Sequence, residues 1–251
     1  MRCRGRESAY ARAVLLKACL NGARSPESHR GLPVTAEQLV ADAKAAVAAG
    51  AGALHIHPRD GDGGESLRGT DVAHAVEATR AAGVPVGVTT GAWVVPDVGE
   101  RLETIRDWTV LPDFASVNFH EDGALQIAEL LIERGIGVEA GVWTAASAVE
   151  FVSSHVAASC LRVLIEPMAT ETPSALATVR AIEAVVGDLG VPLLLHGFQT
   201  TVWTMLEEAG RCGYDTRIGL EDTLALPDGS PGSGNAELVR VARSRLRDVH
   251  S

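Results

Sequence analysis

The sequence predicts a single (β/α)8 barrel, and three observations carry that prediction. Eight short apolar runs alternate with eight helical patterns along the 251 residues. The runs are apolar throughout, as strands buried on both faces must be. A chain of this length is the usual size for eight strand–helix units closed into one α/β domain, a TIM barrel. An open doubly wound sheet is the competing arrangement, but no GxGxxG follows the first apolar run.

The first run, 13–20, follows an arginine-rich start, 1–12, that reads as a loose arm lacking the apolar segment of a secretory signal. The barrel is assigned to 13–251. Asn21-Gly22-Ala23-Arg24-Ser25-Pro26 turns the chain into a long loop. Thr35 then opens a helix as its N-cap, with Gln38 completing a capping box. Leu39, Val40, Ala43 and Val47 form the apolar stripe of that helix, and Gly50 stops it. The second strand covers 53–57. A helix over 71–82 closes at Gly83, and the third strand, 85–90, ends before Gly91. Helix 97–107, strand 114–118, helix 124–134 and strand 136–140 follow, then helix 144–154, strand 160–166, helix 174–187 and strand 191–196. Helix 199–209, strand 214–220 and, beyond a Pro/Gly/Ser loop, helix 235–247 complete the chain.

Composition narrows the function classes. The formal charge of -10 argues against a nucleic-acid surface, so an anionic substrate needs a local basic cluster. No run of about 18 apolar residues is present, so no membrane span is expected. The four cysteines stand far apart without a CxxC, which fits free thiols in a cytoplasmic, reducing setting.

In a barrel of this kind the chemistry sits where strands end and loops begin. The polar residues at those ends are Asn21 and Arg24, His55, His57 and Arg59, Thr89 and Thr90, Ser116 and Asn118, Glu139, Glu166, His196, and Arg217, Glu221 and Asp222. His55 and His57 stand two apart in an extended run, so both imidazoles face one side and can grip one metal ion. Alone, such a pair is as readily explained by one histidine packing in the core and the other capping the strand. Glu221 is the best third ligand. Closure would put strand eight beside strand one and strand one beside strand two, so Glu221 and the histidines would lie about 9–10 Å apart at the backbone and could meet over strand one. The alternative for Glu221 is a surface acid at a loop start. Asp222, next to a cation, is expected to have a lowered pKa and to serve as a general base.

These residues resemble a known family. The matching stretches are Cys19-Leu20-Asn21-Gly22-Ala23, Leu32 to Glu37, Ala49-Gly50-Ala51, His55-Ile56-His57-Pro58-Arg59-Asp60, Thr89-Thr90-Gly91, Ser116-Val117-Asn118, Val138-Glu139, Arg217-Ile218-Gly219-Leu220-Glu221-Asp222-Thr223-Leu224 and Asn235 to Val239. They are similar to the β-keto acid cleavage enzymes, typified by the 3-keto-5-aminohexanoate cleavage enzyme, over nearly the whole chain after the arm. The resemblance implies a zinc-dependent barrel that condenses a β-keto acid with acetyl-CoA, giving acetoacetate and a new acyl-CoA. It implies His55, His57 and Glu221 as zinc ligands, Asp222 as general base and Arg217 as the residue that holds it. Thr89 and Ser116 fall where the family contacts substrate; Arg24, Asn118 and Glu139 join them as candidate substrate contacts. It also suggests a homo-oligomer, a dimer or tetramer.

The sequence departs from the amino-substrate member of the family in three places. Arg24 and Gly141 stand where that enzyme has acids, and Thr89 where it has serine. Two lost negative charges and one gained positive charge favour a neutral or anionic β-keto acid, unless Arg24 faces solvent or the CoA phosphates. The loop after strand six, 164–173, lacks the expected glycine-rich stretch, which bears on where CoA sits. Two other readings stand beside this one: a metal-dependent hydrolase of the amidohydrolase kind, and a barrel that binds a metal or metabolite without turnover.

Overall fold

The computed structural model describes residues 14–249; the arm read over 1–12 lies outside them. Eight parallel strands alternate with eight α-helices: β1 (Leu16–Cys19), α1 (Ala36–Ala48), β2 (Ala53–Ile56), α2 (Gly69–Arg80), β3 (Val86–Thr89), α3 (Val98–Arg106), β4 (Phe114–Asn118), α4 (Ala124–Glu133), β5 (Gly137–Val142), α5 (Ala145–Ser153), β6 (Arg162–Ile165), α6 (Thr172–Val186), β7 (Leu193–Leu195), α7 (Val202–Cys212), β8 (Thr216–Ile218) and α8 (Asn235–Asp248). The sheet runs β7-β6-β5-β4-β3-β2-β1-β8. Its ends join where Leu194 bridges Asp215. There Leu195 N–H donates to the Asp215 carbonyl at 2.9 Å, and Asp215 N–H to the Leu193 carbonyl at 3.0 Å. The barrel is therefore closed, and the open-sheet alternative is excluded.

Local chemistry accounts for the element ends. Thr35 Oγ1 accepts the Gln38 N–H at 3.3 Å while Gln38 Oε1 accepts the Thr35 N–H at 3.0 Å, the capping box read from the sequence. Helix α6 starts before its expected position, because Pro173 fits the first turn where its missing N–H costs nothing. Several strands stop short of their expected ends. At β2 the reason is visible: Asn21 Nδ2 donates to the His57 carbonyl at 3.0 Å, and His57 N–H donates to Asn21 Oδ1 at 2.9 Å. A side-chain amide takes the place of a neighbouring strand and frees His57 from the ladder.

The outward faces of the strands pack on the apolar sides of the helices, with residues such as Leu16, Leu54, Ile56, Val88, Val138 and Ile165 fully buried. Inside the barrel the filling is partly ionic. Lys17 Nζ, fully buried, pairs with Glu139 Oε2 and lies 5.5 Å from the centre of the Phe114 ring. Arg162 Nε is 3.2 Å from Glu139 Oε1, and its Nη1 is 3.1 Å from Asp215 Oδ2. Strand β5 runs on to Val142, past the expected end at Ala140, so Glu139 is mid-strand. Expected at the substrate, it belongs instead to this buried floor, its carboxylate held by Lys17 and Arg162.

Among the described residues, Cys19 and Cys160 are buried free thiols. No helix among the described residues is long and apolar enough to cross a membrane.

Gly219 lets β8 approach β1: a Cβ there would collide with the Cys19 carbonyl. Gly219→Ala is therefore expected to destabilise by about 1–3 kcal/mol and to lower the thermal midpoint by roughly 2–12 °C. Circular-dichroism melting checks this, and an unchanged midpoint would contradict the close approach.

Candidate metal centre and active site

Register sets the centre. His55 lies opposite Cys19 of β1, and β1 pairs on its other side with β8, with Ala18 opposite Ile218. Past β8 the chain turns so that Glu221 N–H donates to the Cys19 carbonyl at 3.3 Å. Glu221 thus reaches across β1. Its Oε2 lies 4.0 Å from His55 Nε2 and 3.7 Å from His57 Nε2. The three side chains can offer ligand atoms that all lie within 4.8 Å of one another. Gly22 makes room for this: its φ is +58°, and a Cβ would run into the Glu221 side chain.

The donor set fits a divalent ion. Glu221 Oε1 accepts from Arg217 Nη2 at 2.9 Å, but Oε2 is buried without a hydrogen-bond partner, as is His55 Nδ1. Burying that carboxylate oxygen unmatched costs about 1–3 kcal/mol, a cost a cation beside it would offset. Burial holds the His55 pKa well below its ordinary value, and the nearby Lys17, His57, Arg217 and His196 add to that. A neutral imidazole with a free lone pair is what a metal requires. His57 Nδ1 is 2.6 Å from Glu65 Oε1, which leaves Nε2 as its free nitrogen.

Arg217 ties the ligand to its neighbour. Its Nη2 also donates to Asp222 Oδ1 at 2.8 Å, and its Nε to the same oxygen at 3.1 Å, while Asp222 Oδ2 is buried without a partner. Burial works against the Arg217 charge, but Asp222, Cys19 and Glu221 outweigh it and raise its pKa, so it remains a cation. Within the protein alone the Asp222 pKa is raised, whereas the lowering expected from the sequence is the effect of a bound cation. The residue is fully buried, and desolvation outweighs the pull of Arg217 and His196.

The remaining predicted residues stand near or just beyond the ends of β1, β3 and β4. Thr89 Oγ1 accepts the Gly91 N–H at 3.1 Å, and Ser116 lies opposite Thr89 in the register of β3 and β4. Asn118 Nδ2 donates to Glu121 Oε1 at 2.8 Å. A Cβ at Gly141 would come 2.5 Å from Asn118 Oδ1, so the missing side chain there is what seats the amide. Arg24 is half-buried, with its Nε donating to the Leu220 carbonyl beside Glu221. Glu139 alone among the predicted residues is committed to the floor.

Four further residues were not placed by their sequence pattern. His196 Nε2 is 3.4 Å from Glu166 Oε2, and its Nδ1 is 3.8 Å from Asp222 Oδ1. Glu166, a strand-end candidate in the sequence, sits against His196. Burial raises its pKa, but His196, Arg217 and Lys17 more than reverse this and bring it to about 2. Glu65 and Trp93 reach His57 from two loops, and no spacing rule links a loop acid eight residues on to a metal histidine.

Metal analysis of dialysed protein tests the centre. Wild type is expected to retain about one divalent ion per chain, and His57→Ala and Glu221→Gln to lose most of it. Equal retention by all three would remove these residues from the ligand set.

Comparison with known proteins agrees with the geometry. The fold is shared with 3-dehydroquinate dehydratase from Geobacillus kaustophilus HTA426, at a TM-score of 0.62 and 12% identity, covering 94% of this chain and 91% of that one. It is also shared with thiamine phosphate pyrophosphorylase from Pyrococcus furiosus, at a TM-score of 0.57 and 12% identity, covering 95% and 98%. At such identities the likeness speaks for the barrel alone. The sequence itself matches the family described as BKACE, beta-keto acid cleavage enzyme, over residues 13–251. With the His-His-Glu group at the strand ends and that match spanning every strand and helix, the chain belongs to the beta-keto acid cleavage enzyme family.

Proposed function

We propose that this enzyme is zinc-dependent and condenses a β-keto acid with acetyl-CoA, releasing acetoacetate and a new acyl-CoA. One observation carries the reading: Arg217 binds a metal-ligand candidate, Glu221, and a base candidate, Asp222, with one guanidinium. Two imidazoles and one carboxylate suit zinc with a fourth position open. Bound there, the ion supplies Lewis-acid polarisation of the substrate's keto oxygen.

The protein's own groups do the rest. Asp222 takes the α-proton of the β-keto acid on Oδ2, the oxygen without a partner, while Arg217 fixes Oδ1. Burial makes Asp222 a stronger base than a free carboxylate, and Arg217 pulls its pKa the other way. The carbanion adds to the thioester carbon of acetyl-CoA, and the CoA thiolate leaves that carbon for the keto carbon. Cleavage between the keto carbon and the α-carbon then releases the acyl-CoA and the acetoacetate carbanion, which takes the proton back from Asp222.

Substrate charge follows from the rim. Arg24 stands next to the Glu221 turn, and Gly141 offers no acid. Both favour a neutral or anionic β-keto acid over one bearing an ammonium group.

Three measurements test this reading. Asp222→Asn is expected to lose about 10²–10⁴-fold in kcat with the ion still bound; activity within a few-fold of wild type would remove it as base. The acid limb of the kcat/KM profile should fall as pH drops through a pKa above that of a free carboxylate. Arg217→Met should move that limb further up, because the charge that lowers the Asp222 pKa is gone; a limb that stays in place would separate Arg217 from the base. Turnover should require acetyl-CoA, which a hydrolase would not, and a simple binding barrel would show none. Faster turnover of 3-keto-5-aminohexanoate than of neutral or dicarboxylic β-keto acids would overturn the substrate assignment.

A further inference from the structure

Two residues outside the ligand set are built around His57. Glu65, on the loop after β2, lies 2.6 Å by Oε1 from His57 Nδ1. Its backbone is pinned: Arg59 and Glu65 form an antiparallel bridge, and Ser66 N–H donates to the Pro58 carbonyl at 2.9 Å. The loop therefore folds back on the histidine pair and delivers the carboxylate to one ring nitrogen.

Trp93, on the loop after β3, closes the chain of contacts. Its Nε1 donates to Glu65 Oε2 at 3.0 Å and lies 3.2 Å from Oε1. Its ring lies over the His57 ring, with centroids 6.1 Å apart and planes 24° from parallel. The indole remains 48% exposed, so burial alone does not hold it. Gly91 leaves its place open, since a Cβ there would run into the Trp93 ring. The Ala92 N–H, fixed on Glu121 Oε2 at 3.0 Å, anchors the loop.

We propose that Glu65 and Trp93 are positioning residues that orient His57 toward the divalent ion and raise the affinity of the centre for it. This rests on the His55–His57–Glu221 metal reading. A carboxylate on Nδ1–H fixes the tautomer, turns the Nε2 lone pair outward and makes the ring a better donor. Trp93 holds that carboxylate from its far side and limits rotation of the imidazole. The effect is confined to one ligand: His55 Nδ1 has no such partner, and its ring is held within β2 by burial.

The test uses full-length protein stripped of metal and refilled. Zn2+ affinity is measured by competition with a chromogenic chelator, and Co2+ binding by its visible absorption. Melting of each metal-free protein checks the fold. Glu65→Ala is expected to bind Zn2+ about 10–100-fold more weakly, with an altered cobalt spectrum and a metal-free melting point close to wild type. Glu65→Gln, whose amide oxygen still accepts from Nδ1–H, should recover part of the loss. Trp93→Phe keeps a ring over His57 but removes the N–H donor, so a few-fold weakening is expected. Wild-type Zn2+ affinity and an unchanged cobalt spectrum in both Glu65 variants would overturn the proposal while leaving the metal centre intact. Wild-type affinity in Trp93→Phe would remove Trp93 from it. Failure of the wild-type protein itself to bind either ion would instead sink the underlying metal reading, and this proposal with it.

Discussion

The pairing of β8 with β1 is the constraint on which the site depends. Side chains that could share an ion come from β2 and from the turn after β8, and β1 lies between them. The sheet order puts those two segments on either flank of one strand. The closeness is built into the chain: Gly219 lets the last strand lie against the Cys19 carbonyl, and Gly22 clears the space that Glu221 enters. Asn235 fastens the junction from outside. Its Oδ1 accepts the Leu220 N–H at 2.7 Å, and its Nδ2 donates to the Leu20 carbonyl at 2.8 Å, so the ends of both strands hang on one amide at the start of α8.

Charge is arranged in two tiers along the barrel axis. Near the start of the strands, Lys17, Glu139, Arg162 and Asp215 compensate one another within the core. Near the strand ends, Glu221 and Asp222 share Arg217, while Glu166 meets His196. Buried pairs of this kind add little net stability, because desolvation offsets most of their attraction. Their use here is positional. The lower tier fills the barrel with fixed charges, and the upper tier holds two carboxylates in set orientations while leaving one oxygen of each unpaired.

Much of this was readable in the residues. The two-residue spacing of His55 and His57 in an extended run gives a common face, and Arg217-Ile218-Gly219-Leu220-Glu221-Asp222 brings base, ligand and clamp in one short segment. What escaped depended on burial or on loop paths. The burial of Asp222 is a property of the assembled barrel, so its upward pull on the pKa is absent from the residue's neighbours in sequence. The expected strand 136–140 puts Glu139 near its end; β5 in fact runs on through Gly141, where Asn118 needs the glycine's space, to Val142. Glu65 reaches His57 only because its loop doubles back on Arg59, and nothing in the local sequence specifies that return.

The central claim is that one ion joins three side chains across β1. A crystal of the enzyme, measured on both sides of the zinc absorption edge, tests it most directly. The account predicts one anomalous peak about 2.0–2.2 Å from a ring nitrogen of His55, a ring nitrogen of His57 and an oxygen of Glu221. A peak elsewhere, or one bonded to the two histidines with the Glu221 carboxylate out of reach, would contradict it.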